Sequence, residues 1–142
     1  MAKMTLEVLS PNGVIFTDIV DSILVKGVDG ELGILAGHVP LFTELSMGVL
    51  TYKKGKEENY IAVMGGFLEV NANKVNIITT SGEVADNIDK ARALQDKDSS
   101  DKLAMKKAGD ESFQRAQREV AKANIRLKAI ELLERSGRRP RM

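Results

Sequence analysis

The apolar period changes once along the chain, near residue 86, and that change limits the folds open to it. Before it, apolar residues alternate in short runs: Thr5-Leu6-Glu7-Val8-Leu9, Val14-Ile15-Phe16, Ile19 to Val25, Gly48 to Tyr52, Tyr60 to Met64, Phe67 to Val70 and Val75 to Thr79. A period of two puts alternate side chains on one face of a strand. After the change, Phe113, Ala116, Val120, Ala123, Leu127 and Ile130 recur at spacings of three and four, a single apolar stripe on a long helix. The chain therefore reads as two units: a β-sandwich of short antiparallel strands over residues 1–85 and a two-helix hairpin over 86–142.

The punctuation agrees with that division. Pro11-Asn12-Gly13 is a turn, because Pro presets φ and Gly accepts positive φ. Lys53-Lys54-Gly55-Lys56-Glu57-Glu58-Asn59 reads as a charged hairpin tip and Asn71-Ala72-Asn73 as a tight one. Asp86 or Asn87 is placed to cap a first helix, with Ile88, Ala91 and Gln95 on one face. The run Asp96-Lys97-Asp98-Ser99-Ser100-Asp101 has weak helix propensity and is expected to fray or interrupt that helix. Ala108-Gly109-Asp110 is the expected turn, and the tail is expected to fray from Ser136. A hairpin with one narrow apolar stripe buries little alone, so it must pack on the β unit or on another protein.

Composition narrows the function. With no Cys there is no disulfide scaffold, thiolate nucleophile or thiolate-ligated metal, and this fits a reducing compartment. His38 is the only histidine. Asp29, Glu31 and His38 share a segment, but no nucleophile accompanies them, and the glycines around them do not form a phosphate loop that opens a helix. No catalytic residue, metal site or obligatory cofactor is expected. No apolar run reaches the ~18–20 residues that span a bilayer, and no signal or transit character marks the N-terminus. The net charge of +1 hides an asymmetry, because residues 111–142 carry nine basic and four acidic side chains. On the long helix Arg115, Arg118, Lys122 and Arg126 form a basic ridge that suits an acidic partner. Nucleic acid is disfavoured, since that segment has only Phe113 for stacking and follows a net acidic domain.

Two linked motifs add a resemblance that spans most of the chain. Gly30-Glu31-Leu32-Gly33-Ile34-Leu35-Ala36-Gly37-His38-Val39-Pro40-Leu41 is similar to the G-[DE]-x-G-x-[LM]-x-G-H-x-P-L loop of the ε subunit of F-type ATP synthases. Met64-Gly65-Gly66-Phe67-Leu68-Glu69-Val70 resembles that family's G-G-F-x-E-V hairpin, and the opening Leu6 to Pro11 turn fits as well. The resemblance implies a rotor subunit at the foot of the central stalk. Its partners would be the γ subunit, the c-ring, and the catalytic β (and α) subunits when the arm is extended. It would be peripheral on the cytoplasmic face of the bacterial plasma membrane, touching the membrane only through the complex. Glu31 and His38 become candidate c-ring contacts, beside the plainer reading that this segment's Gly and Pro residues merely shape it. The basic ridge becomes an inhibitory surface.

The segment Ile88-Asp89-Lys90-Ala91-Arg92-Ala93 further resembles the [IL]-D-x-x-R-A motif of bacterial ε subunits that bind ATP with the arm folded. By that resemblance Glu83, Ile88, Asp89, Arg92, Ala93, Lys122 and Arg126 are candidate ATP-binding residues. Glu83 would accept from the adenine amine, and Lys122 and Arg126 would neutralise phosphate. Lys122 departs from the Arg of ATP-binding relatives and lacks its planar fork. The alternative is a purely structural coupling subunit, in which Asp89 and Arg92 make a helix-start ion pair and the motif is inert.

Overall fold

The computed structural model describes residues 2–106 and 111–137, with the backbone alone at 100–106 and 111–113. The expected turn at 108–110, the Phe113 side chain and the tail beyond Gly137 lie outside that description. Eight strands come first: β1 (Met4–Ser10), β2 (Gly13–Val20), β3 (Ser22–Gly27), β4 (Gly30–Leu35), β5 (Leu41–Lys54), β6 (Glu57–Asn71), β7 (Lys74–Ile78) and β8 (Gly82–Val84). A 3-10 turn at Ala85–Asn87 leads to α1 (Lys90–Lys106) and α2 (Glu111–Arg135).

The strands form one continuous sheet in the order β2-β1-β7-β6-β5-β3-β4, with β8 added beside β6, folded on itself as a sandwich. β5 and β6 are longer than the sequence suggests, at 14 and 15 residues, because each runs through both layers. The crossing falls where the ladder skips one pair, between Leu45↔Gly66 and Met47↔Met64, with the register the same on both sides. Before it β6 pairs with β8, and after it with β7. Gly65 and Gly66 take φ of +83° and +125° there, and a Cβ on Gly66 would lie 2.0 Å from the Ile78 carbonyl oxygen. The glycine pair is what lets the strand bend against a neighbouring backbone. β1 and β7 pair in parallel while the other strand pairs are antiparallel.

Aliphatic side chains fill the interior, as the low aromatic content requires: Leu6, Val8, Ile23, Ile34, Leu50, Ile61, Leu68 and Ile77 are buried with at most 2% exposure. Each contributes roughly 1.5–3 kcal/mol on burial. Four hairpins turn on two residues each, Pro11-Asn12, Val28-Asp29, Gly55-Lys56 and Ala72-Asn73. The charged tip is thus two residues rather than seven, with Lys53 and Glu58 drawn into the ladder.

The helices differ from expectation in two places. Ile88 precedes α1, and Asp89, rather than Asp86 or Asn87, caps it by accepting from Arg92 N–H at 3.1 Å. Ala91 and Gln95 are exposed, whereas Ala93 is the buried residue of that first turn. The weak segment at 96–101 also stays helical to Lys106, since α1 lies along α2, and packing overrides propensity. α2 then covers the outer face of the layer that holds the first half of β6. Ala129, Ile130 and Leu133 are buried there against Tyr60, Ala62, Met64, Ala85 and Ile88. The arm is folded on the sandwich.

Candidate functional site

Folding the arm down creates a cavity of about 490 Å³ between β8, the chain entering α1, and α2. It is lined by Glu83, Asn87, Ile88, Asp89, Arg92, Ala93, Asp96, Glu119 and Arg126. Six of the seven residues proposed from the sequence motif meet here. Ile88 and Ala93 are buried and form an apolar wall, with 1% and 3% exposure. Asp89 and Arg92 do not join side chain to side chain, because a carboxylate oxygen of Asp89 is taken by the Arg92 backbone N–H. The Arg92 guanidinium instead lies 4.0 Å from Asp96 and stays largely in solvent.

The strongest polar contact of the cavity joins the two units. Arg126 Nε on α2 donates to Glu83 Oε1 on β8 at 2.6 Å, with both side chains partly buried. Among the described residues the other Glu83 oxygen and the terminal guanidinium nitrogens of Arg126 have no hydrogen-bond partner, which leaves them for a carboxylate's and an arginine's usual partners. Lys122 is the seventh candidate and does not line the cavity; its ammonium pairs with Glu119 at 3.5 Å. Asn87, Asp96 and Glu119 complete the lining without having been proposed as ligands. Asp96, four residues after Arg92, and Glu119, three before Lys122, could have been flagged by helical spacing, whereas Asn87, two before Asp89, could not.

The basic ridge is not one surface in the folded arm. Arg115 and Arg118 are exposed on α2, while Arg126 turns inward to Glu83. Glu31 and His38 are likewise not brought together. The segment taken as a loop is mostly β4, an edge strand, with exposed Glu31 beside the Val28-Asp29 turn and His38 beyond the other end. His38 Nδ1 bonds the Val39 carbonyl at 2.7 Å, and the preceding Gly37 N–H donates to Asn73 Oδ1 at 2.7 Å. The β6–β7 turn therefore orders the His38 segment. Among the described residues no group of three or more His, Cys, Asp or Glu side chains is placed to hold a metal, and no helix is long and apolar enough to cross a membrane.

A second surface stands out on the face opposite the arm. Phe67, Ile78, Leu9 and Val14 are direct partners across β6, β7, β1 and β2, and Phe42 stacks on Phe67 with ring centroids 5.6 Å apart. Phe42 is 63% and Val14 58% exposed. Glu69, Asn76 and Glu7 form the next rung, so the apolar stripe has an acidic border. A contiguous stripe of this kind marks an interaction surface more often than isolated exposed residues do.

Residues 3–85 match the family model described as ATP synthase, Delta/Epsilon chain, beta-sandwich domain. The ATP synthase epsilon chain of Caldicellulosiruptor saccharolyticus is 42% identical over 131 residues, covering 92% of this chain and 96% of that one. That of Halalkalibacterium halodurans is 37% identical over 128 residues, covering 89% and 96%. Among solved structures, a chain in the cryo-EM structure of the Euglena gracilis mitochondrial ATP synthase with its c-ring matches at a TM-score of 0.71 and 25% identity. It covers 94% of this chain and 82% of its own length. A chain of the Tetrahymena thermophila mitochondrial central stalk and c-ring matches in fold, with a TM-score of 0.55 at 15% identity.

Proposed function

The chain belongs to the ATP synthase delta/epsilon family, and from that premise we propose that it is a non-catalytic central-stalk subunit whose folded arm senses ATP. In this reading the sandwich couples γ to the c-ring during proton-driven ATP synthesis, on the cytoplasmic face of the bacterial plasma membrane. The stripe from Val14 to Phe42 is the surface offered to γ, since it is apolar and left bare by the arm. The β3–β4 tip with Glu31, or the His38 segment, faces the ring. These two lie at opposite ends of β4, so one of them at most is a central contact.

Sensing is supported by the cavity itself, because it exists only while α1 and α2 lie on the sandwich. A nucleotide held there favours the folded arm by its differential affinity for the two states. When ATP falls, the arm extends, and Arg115, Arg118, Lys122 and Arg126 meet acidic segments of the catalytic subunits and oppose hydrolysis. Complementary charge would orient that docking. A lone ligand of modest affinity suffices for a sensor of millimolar ATP, provided the two arm positions differ little in energy.

The pairing of Arg126 with Glu83 and of Arg92 with Asp96 favours a second reading, in which the motif only fastens the arm and the subunit is purely a structural coupler. Calorimetric titration of the full chain with ATP separates them. Binding by the natural sequence that is lost in Asp89→Ala and Arg92→Ala supports the sensor. Absence of binding up to millimolar ATP leaves a stalk subunit with a mechanical arm.

A further inference from the structure

Two cations, Arg92 and Arg126, line the cavity and a third, Lys122, pairs with the lining residue Glu119, so each is already matched by a carboxylate of the same chain. Arg126 faces Glu83 at 2.6 Å, Lys122 faces Glu119 at 3.5 Å and Arg92 faces Asp96 at 4.0 Å. Along the cavity wall the count runs further toward acid, with Glu83, Asp89, Asp96 and Glu119 against Arg92 and Arg126. A polyphosphate entering this space meets repulsion from carboxylates as well as attraction to guanidinium groups.

The four acids are not equivalent. Glu83 is fixed between β8 and α2, and Asp89 caps α1, so both have structural work. Asp96 and Glu119 stand about half exposed on α1 and α2 at the cavity, and among the described residues each pairs only with the one cation it restrains. Exposed pairs of this kind add little to stability. We propose that Asp96 and Glu119 are affinity-setting residues: they hold Arg92 and Lys122 away from the phosphates and keep nucleotide binding weak. The arm would then respond to ATP at cellular levels rather than staying saturated. This rests on the nucleotide reading of the cavity.

The test uses the full-length chain and calorimetric titration with ATP, ADP and AMP. Asp96→Asn and Glu119→Gln keep the shape of each side chain and remove its charge. Each is expected to tighten ATP binding by about two- to fivefold, the scale of one exposed charge interaction, and the gain should shrink from ATP to ADP to AMP. Glu131→Gln, on α2 but paired with Arg135 and outside the cavity, serves as the control and should change nothing. If the natural chain binds ATP and neither variant binds more tightly, or if the gain is the same for all three nucleotides, the affinity-setting role is wrong while the site stands. If neither the natural chain nor the variants bind any nucleotide, the site itself is wrong and this inference falls with it.

Discussion

Gly66 and Asn73 show how single residues aim the surfaces that matter. A side chain at Gly66 would collide with the Ile78–Thr79 backbone, so only glycine lets β6 turn from the layer under the arm into the layer that carries Phe67. Asn73 takes φ of +64° in a two-residue turn, a conformation Asn tolerates better than most side chains, and its side-chain oxygen then reaches Gly37. Asp18 fastens the opposite end of the sandwich. Lys54 Nζ donates to both of its oxygens, at 3.1 and 2.9 Å, and the Ile19 N–H adds a third bond at 2.8 Å. The hydrogen bond from Lys54, with its charge and the Ile19 amide, outweighs burial and holds the carboxyl below its ordinary value of 3.8. A carboxyl whose folded pKa is depressed contributes stability above the unfolded pKa and loses it as pH falls through the folded one. We expect Lys54→Met to raise the Asp18 titration midpoint, read by NMR of its carboxyl carbon. The variant should also lose less stability than the natural chain between pH 4 and the fully protonated state. An unchanged midpoint would show that the amide bond alone sets it.

At the scale of elements, α2 is two helices in function. Its first turns hold Arg115 and Arg118 in solvent, while its last turns bury Ala129, Ile130 and Leu133 on β5 and β6. The spacing from Ala116 to Ile130 was legible because α1 and the sheet both demand an apolar stripe at helical period. Ala129, Leu132 and Leu133 escaped it, since the sheet contact widens the stripe and shifts it round the helix. The start of α1 was misplaced by a few residues because Asp86, Asn87 and Asp89 are all competent caps, and sequence spacing does not choose among them. What chose was the burial of Ile88 under α2, which holds the preceding residues in a 3-10 turn. Ile130→Ala removes a side chain with no exposure from this contact. A cost of about 2–4 kcal/mol is expected, and it should fall on arm docking rather than on the sandwich. Hydrogen exchange would then speed up in α1, α2 and the face of β6 beneath them, with β1, β3 and β7 unchanged. Uniform loss of protection across all of these would mean that arm and sandwich unfold as one.

For the molecule as a whole, two apolar clusters have different owners. The larger one, from Met4 to Ile77, is supplied by the sandwich alone, with Ile15, Phe16, Leu32, Leu41 and Val84 at its margin. The second is shared: Tyr60, Ala62 and Met64 from the sheet, Ala85 and Ile88 from the connection, Ala129, Ile130 and Leu133 from α2. The cavity with Glu83, Asp89, Arg92 and Arg126 lies at this shared seam, which is why its membership was only partly legible. A motif fixes Asp89 and Arg92 in sequence, but whether Lys122 or Glu119 faces them depends on how α2 rotates to bury Ile130. The same division of cores predicts the outcome of removing the arm. A chain ending at Ile88 retains every member of the larger cluster, and the family model too ends at residue 85. It should therefore fold, giving dispersed amide resonances and a cooperative melt. It should also expose Tyr60, Ala62 and Met64 together with partly buried Met47 and Val49, a contiguous apolar face on β5 and β6. Self-association that rises with concentration, followed by sedimentation, is the expected consequence. Two results would weigh against separate cores. An unfolded product would mean that the sandwich depends on the arm. A soluble monomer at all concentrations would mean that this face is not apolar enough to need a cover, and that the arm's docking rests on the Arg126–Glu83 ion pair instead.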